Sequence, residues 1–218
     1  MSSEPYNVDA EISSLRSTGL RSNTLTGIIL KLLTTHFSRE RGIQDPRLKS
    51  FIWNADLTES KILIVPVWHW QTPGSQQRPA LVIKRNALQT RQLGLGDGQA
   101  IVPGLSSEKI PANQEVVSQI AVAGSHTIFA IAAVPTQAEL LSTEVATRLI
   151  QYAQAIQNEF DFSKFRVAEI GALAKIEESS EHFVVPITVA YTYVDAWTVW
   201  SAAPLLKQLV VETNVKGR

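Results

Sequence analysis

Leu25, Ile28, Ile29, Leu32, Leu33 and Phe37 recur at steps of one, three and four, with His36 on the same stripe. That spacing predicts a helix with one wide buried face. Ser22, Asn23 and Thr24 stand in front of it as candidate N-caps. The pattern stops near Arg41-Gly42, with Asp45-Pro46 well outside the helix. Residues 1–21 are polar and without period, an arm or a short helix. A second helix is clearer. Leu141, Val145, Leu149, Tyr152 and Ile156 follow at steps of four, four, three and four, to about Asn158. Pro135 closes the segment before it, and Thr136-x-x-Glu139 reads as a capping box.

Between the helices the pattern shortens to strand-like runs. LKSFIWNAD (48–56) and KILIVPVWHW (61–70) are candidate strands. Pro66 has no N–H and places its strand at an edge or a bulge. QTPGSQQRP (71–79) is turn-rich, and ALVIKRN (80–86) is a compact strand. Residues 87–115 read as one long connection containing GLGDG at 94–98. Gln114–Ala123 and His126–Val134 follow as two strands.

After the second helix, FDFSKF (160–165) is expected to turn. Arg166–Ile176 and Phe183–Val194 are then strands joined by the polar EESSEH at 177–182. In the last strand, Phe183, Val185, Ile187, Val189, Tyr191 and Tyr193 share one face, the natural core face. Val184, Pro186, Thr188, Ala190, Thr192 and Val194 share the other, which is apolar enough to be partly covered. Pro186 calls for an edge or a bulge there. Ala196–Trp200 is expected to carry Trp197 and Trp200 away from the sheet. The order of elements predicts an α+β fold, a mainly antiparallel sheet packed against two principal helices. One domain spans 22–200, with a C-terminal extension at 201–218.

Composition narrows the chemistry. The 218 residues are 44% hydrophobic, enough for a sizeable core. No cysteine is present, which excludes disulfides, thiolate metal sites and a cysteine nucleophile. The net charge is +0, but residues 1–109 hold 13 basic and 9 acidic side chains. The remainder, 20 − 13 = 7 basic and 20 − 9 = 11 acidic, leaves the second half negative. This polarity can be a chance distribution of surface charge or can favour head-to-tail packing of identical subunits, and it is too weak to define a nucleic-acid surface. The N-terminus lacks the basic and apolar regions of a signal peptide. No apolar run approaches the ~18 residues that span a bilayer, so a soluble protein without membrane partners is expected.

Candidate catalytic features are sparse. His36, His69, His126 and His182 show no metal-ligand spacing. GLGDG is neither a dinucleotide fingerprint nor a Walker loop, because no Gly-Lys-Ser/Thr follows and no helix opens after it. Ser125 and His126 point to opposite faces of a strand and cannot act as nucleophile and base. Glu177, Glu178 and Glu181 read as a solvated hairpin tip, and Lys84-Arg85 is too small to hold DNA tightly alone. No cofactor is expected. The WHW triplet (68–70), if on a strand, puts both indoles on one face. Trp68, Trp70, Trp197 and Trp200 are the candidate interface anchors, since tryptophan is enriched at such sites, with the core as the alternative place for Trp197 and Trp200.

The layout resembles a known family. The segment RPALVIKRN (78–86), a long loop, a strand opening at His126 and the helix TQAELLSTEVATRLIQYAQAIQNEF (136–160) come in that order, and an aromatic strand closes the sheet. Over roughly residues 22–195 this is similar to the tail-completion, tail-terminator and neck proteins of tailed bacteriophages. The resemblance implies a non-enzymatic virion subunit, made in the host cytoplasm, that closes into a ring, commonly a hexamer. Such a ring caps the tail tube and joins it to head-side connector proteins, with sheath proteins as further neighbours. It implies that loops 71–79 and 87–115 reach partners. It also implies that Lys84, Arg85 and Arg91 face a lumen through which DNA passes without sequence recognition. Two alternatives stay open: another virion part, such as a baseplate or tube-associated protein, and a small-molecule-binding module or hydrolase using His69 or His126 with GLGDG.

Overall fold

Helix α1 (Ser22–Phe37) opens the computed structural model, which describes residues 22–70, 79–92, 115–176 and 182–200. They belong to two compact units. One falls within Met1–Arg91 and Ala121–Val194, the other within Gln92–Ile120 and Asp195–Arg218. Both helices and most of the sheet belong to the first. The stripe on α1 is buried as its spacing requires, with Leu25, Ile29, Leu33 and Phe37 fully inside. Each such side chain contributes roughly 1.5–3 kcal/mol of transfer free energy. The helix ends at Phe37, a few residues before the expected stop. A turn of 3-10 helix (Glu40–Gly42) then folds back over it. Gly42 is needed there, because a Cβ would stand 2.9 Å from the His36 carbonyl oxygen.

No strand forms over residues 48–56. A 3-10 turn (Pro46–Leu48) is followed by irregular chain. The Trp53 N–H donates to the Phe37 carbonyl at the end of α1, and the Lys61 N–H to the Ile52 carbonyl. Asn54 and Asp56 accept from backbone N–H groups two residues on. These local turns take the backbone groups that a strand would have needed.

The described residues form a mixed seven-stranded sheet. Strand β1 (Leu63–Pro66) lies parallel to β2 (Ala80–Arg85), which lies antiparallel to the long β4 (Glu115–Ala132). Short β3 (Gln89–Gln92) also pairs with β4. Helix α2 (Pro135–Glu159) follows, then β5 (Phe162–Ile170), β6 (Ala174–Lys175) and the long β7 (Phe183–Trp200). The order is β1-β2-β4-β7-β5, with β5 and β6 both antiparallel to β7. Pro66 closes an edge strand, where its missing N–H is harmless. Packing α1 on β1 and β2, and α2 on β5, completes the α+β architecture.

Several boundaries differ from those the pattern predicts. The two runs expected at Gln114–Ala123 and His126–Val134 are one strand of 18 residues, β4. Gly124 does not break it. A Cβ there would meet Tyr191 Cζ at 2.7 Å and Leu88 Cδ2 at 2.5 Å, so the glycine makes room for a neighbour. Helix α2 starts at Pro135, with extended Val134 before it and no side-chain cap. The proline's fixed φ starts the helix before Thr136, and the capping box does not form.

Strand β5 begins inside the predicted turn, because Phe162 and Phe165 are buried opposite Tyr193 and Tyr191. The reversal is shorter, at Phe160 and Asp161, whose φ of 51° is one that aspartate tolerates. Pro186 lies in the interior strand β7, not at an edge. Its carbonyl accepts from the Gly171 N–H, and the next pair is Ala174 with Val184. One side advances from 171 to 174 while the other moves from 186 to 184, so the bulge alternative holds. A Cβ on Gly171 would come within 2.6 Å of the Pro186 ring.

The two faces of β7 separate as their alternation requires. Val185, Ile187, Val189, Tyr191 and Tyr193 are buried on the helix-covered face. On the opposite face Ala80, Val82 and Ile131 form a small buried cluster. Leu63, Val65, Trp70, Phe129, Ile176 and Val184 pack around it. Among the described residues no helix is long and apolar enough to cross a membrane.

Candidate functional site

Trp68 and Trp70, two of the candidate interface residues, differ in exposure. Residues Val67–His69 form a 3-10 turn after Pro66, so the triplet is not a strand and its indoles do not share a strand face. Trp68 is 60% exposed, with its ring edge-on to the exposed His69. Trp70 is half-buried against Ala80, Val82 and Ile131, so much of its surface is used inside the subunit. Trp197 and Trp200 do not leave the sheet, since β7 continues to Trp200. Their side chains lie outside the described residues.

Of the candidate basic residues, Lys84 and Arg85 do not share a face. Lys84 and Arg85 are exposed neighbours at the end of β2. Lys84 is in register with Thr127 and Arg85 with His126, on opposite faces of the sheet. Arg91 belongs to β3 by its backbone, and its side chain lies outside the described residues. So do GLGDG and loop residues 71–78 and 93–114. His69 sits on the surface after β1, whereas His126 is buried on the helix-covered face. The structure does not bring these two histidines together. Among the described residues no three His, Asp or Glu side chains converge to hold a metal ion.

Two buried polar clusters instead flank α1, and the sequence pattern missed both. In the first, Thr26 Oγ1 of α1 and His126 Nε2 of β4 are 2.8 Å apart and hydrogen-bonded. The His126 ring lies 5.4 Å from that of Tyr191. His126 Nδ1 and the Tyr191 hydroxyl are buried without a hydrogen-bond partner. Burial, with the Arg85 guanidinium adding to it, lowers the His126 pKa to about 4. Burial and the neighbouring Tyr193 push Tyr191 up to about 12, against an opposing pull from Arg85.

In the second, Glu144 of α2 is a buried carboxylate with three donors. His36 Nε2 donates to its Oε1 at 2.9 Å, as does the Gln44 N–H, and the Asp45 N–H donates to Oε2 at 3.3 Å. Glu144 thereby ties the end of α1 and the segment after it to α2. Nε2 must carry a proton to face a carboxylate, which leaves Nδ1 as the bare nitrogen of the neutral ring. Nδ1 is buried without a partner. Burial lowers the His36 pKa. Arg148 adds to the lowering, while the bond to Glu144 opposes it. One signal for Glu144 was present in the sequence, since it lies three residues after Leu141 on the flank of the buried stripe.

No protein-family model matches the chain, and no curated protein matches it either.

Proposed function

We propose that this chain is a structural protein of a tailed-phage virion, one subunit of a ring at the neck or tail end. Its partners are further copies of itself, most simply six in a ring, then the tail tube, sheath proteins and the head-side connector. The ring joins these parts by packing and carries no catalysis. DNA passes its lumen without sequence recognition, with Lys84, Arg85 and Arg91 as candidate lining residues.

The observation that carries this reading is a sheet that, among the described residues, is open at both ends, with exposed apolar side chains at each. Val67 and Trp68 follow β1 at one end, while Ile170 and Leu173 flank the junction of β5 and β6 at the other. Two different sticky ends on one subunit suit head-to-tail contacts, which close into rings when the rotation allows. Both edges are blunted against strand addition. Strand β1 is only four residues long and ends in proline, and β5 carries two register shifts and the charged Lys164, Arg166 and Glu169. A neighbour therefore meets side chains rather than a free ladder.

The test is the mass of the purified protein in solution, with negative-stain images of the same sample. A closed ring supports the reading. A monomer that also stays monomeric when purified tail tubes are added overturns it.

A further inference from the structure

Helix α1 is fastened near both of its ends by a histidine. Near its start, Thr26 bonds His126 of the sheet. In its last turn, His36 bonds Glu144 of α2. Both rings are buried, and in both Nδ1 has no partner. We infer that α1 is an acid-released latch: protonation of these two imidazoles detaches the helix from the sheet and from α2 while the central strands stay folded. The inference stands independently of the ring reading.

The reason is a donor count. With Nε2 as donor, a neutral imidazole leaves a bare Nδ1 in the core at modest cost; the Glu144 carboxylate fixes this tautomer at His36, and the Thr26 hydroxyl, able to accept, allows it at His126. An imidazolium carries a second N–H and a charge, and neither Nδ1 has a hydrogen-bond partner where it lies. The surroundings of His126 add no compensation. Thr26 faces it from α1, Tyr191 from β7, and the nearby charge on β2 is the cationic Arg85. His36 faces Glu144 and Arg148 of α2 and the Gly42 backbone. The next acid along the covering segment, Asp45, is engaged by Arg47. Glu144 favours the imidazolium at His36, but burial and Arg148 outweigh it.

Both rings titrate below the ordinary histidine value, so each holds α1 in place above pH 6.5 and loosens it as the pH falls below that. With His126 at about 4 when latched and 6.5 when free, going from pH 7.5 to 4.5 raises the opening equilibrium about 70-fold through this ring alone. Release uncovers the apolar stripe of Leu25, Ile29, Leu33 and Phe37, together with the part of β1 and β2 beneath it.

Hydrogen exchange on the full chain tests this, with exchange times scaled to the intrinsic rate at pH 7.5 and at pH 4.5. The expected result is a loss of protection of tens of fold over residues 25–37 at the lower pH, with Val185–Val189 still protected. The variant carrying His36→Gln and His126→Gln should show no such acid-specific loss. Equal loss in α1 and β7, unchanged protection of α1, or a variant that responds as the wild type does, each overturns the inference. Should the double variant not fold, imidazole NMR titration of the wild type decides. Rings that titrate in step with the opening of α1 support the latch, and rings that titrate near 6.5 while α1 stays protected overturn it.

Discussion

Tyr191 occupies the space that a side chain on Gly124 would need, with its Cζ and hydroxyl oxygen both 2.7 Å from an ideal Cβ at that position. The contact crosses from β7 to β4 in the middle of the sheet, where neither backbone can move without breaking ladder bonds. Gly124→Ala should therefore overpack the core and destabilise by about 1–3 kcal/mol. Chemical denaturation would show a lower midpoint at unchanged slope. An unchanged midpoint would mean that the Tyr191 ring shifts freely.

The Tyr191 hydroxyl itself is buried without a partner. Removing a polar group that makes no hydrogen bond relieves a desolvation penalty. Tyr191→Phe should thus be neutral or stabilising, by up to about 1 kcal/mol. A clear loss of stability would indicate that the hydroxyl bonds a buried water.

Glu144 serves three donors from two other segments. Glu144→Ala leaves the His36 Nε2–H and two backbone N–H groups unsatisfied, and should cost about 3 kcal/mol or more. Glu144→Gln keeps an acceptor oxygen and should cost clearly less. Thermal unfolding of the two variants side by side would rank them, and equal losses would reduce Glu144 to a packing role.

Acid should destabilise the fold in a defined window. The folded pKa of His126 lies near 4, below the unfolded value of 6.5, so the unfolded chain binds more protons between these limits. Stability is then full above pH 6.5 and falls as the pH drops toward 4, by on the order of 3 kcal/mol from this ring. His36 acts in the same direction. Urea midpoints measured across pH 4 to 8 would trace the slope, and His126→Gln should flatten it.

The tryptophans should part company. Trp68→Ala removes a mostly exposed side chain and should leave monomer stability within about 0.5 kcal/mol while weakening self-assembly. Trp70→Ala opens the small cluster on Ala80, Val82 and Ile131, and should cost about 2 kcal/mol or more even in the monomer. Sedimentation and denaturation on the same samples separate the two effects. If Trp68→Ala assembles as the wild type does, Trp68 is not at the subunit contact.

What could be read from the sequence was local. The stripes of α1 and α2 and the two faces of β7 follow from spacing alone, and the structure bears them out except at Tyr152, which is exposed with the Arg148 guanidinium over its ring. Strand β2 needed no alternation to be legible, because ALVIKR is short, apolar and bounded by turns. What failed depended on partners far along the chain. Gly124 resembles a strand break until Tyr191 is placed beside it. WNAD resembles a strand until the Asn54 and Asp56 turns take its backbone groups. The histidine ties escaped notice because Thr26 and Glu144 are ordinary helix residues until the fold brings the rings to them. The exposed ends of the sheet, with Trp68 at one, were only half legible, since the break after Pro66 turns the WHW run out of the strand.

The two fastenings of α1 also set an order of events during synthesis. Thr26 and His126 lie 100 positions apart, and His36 and Glu144 lie 108 apart. At ribosomal speed that gap is about 5 to 20 seconds. Helix α1 can pack on β1 and β2 before then, but neither tie can close until its partner on β4 or α2 has followed it out. The locking of α1 in place is therefore among the last steps of folding.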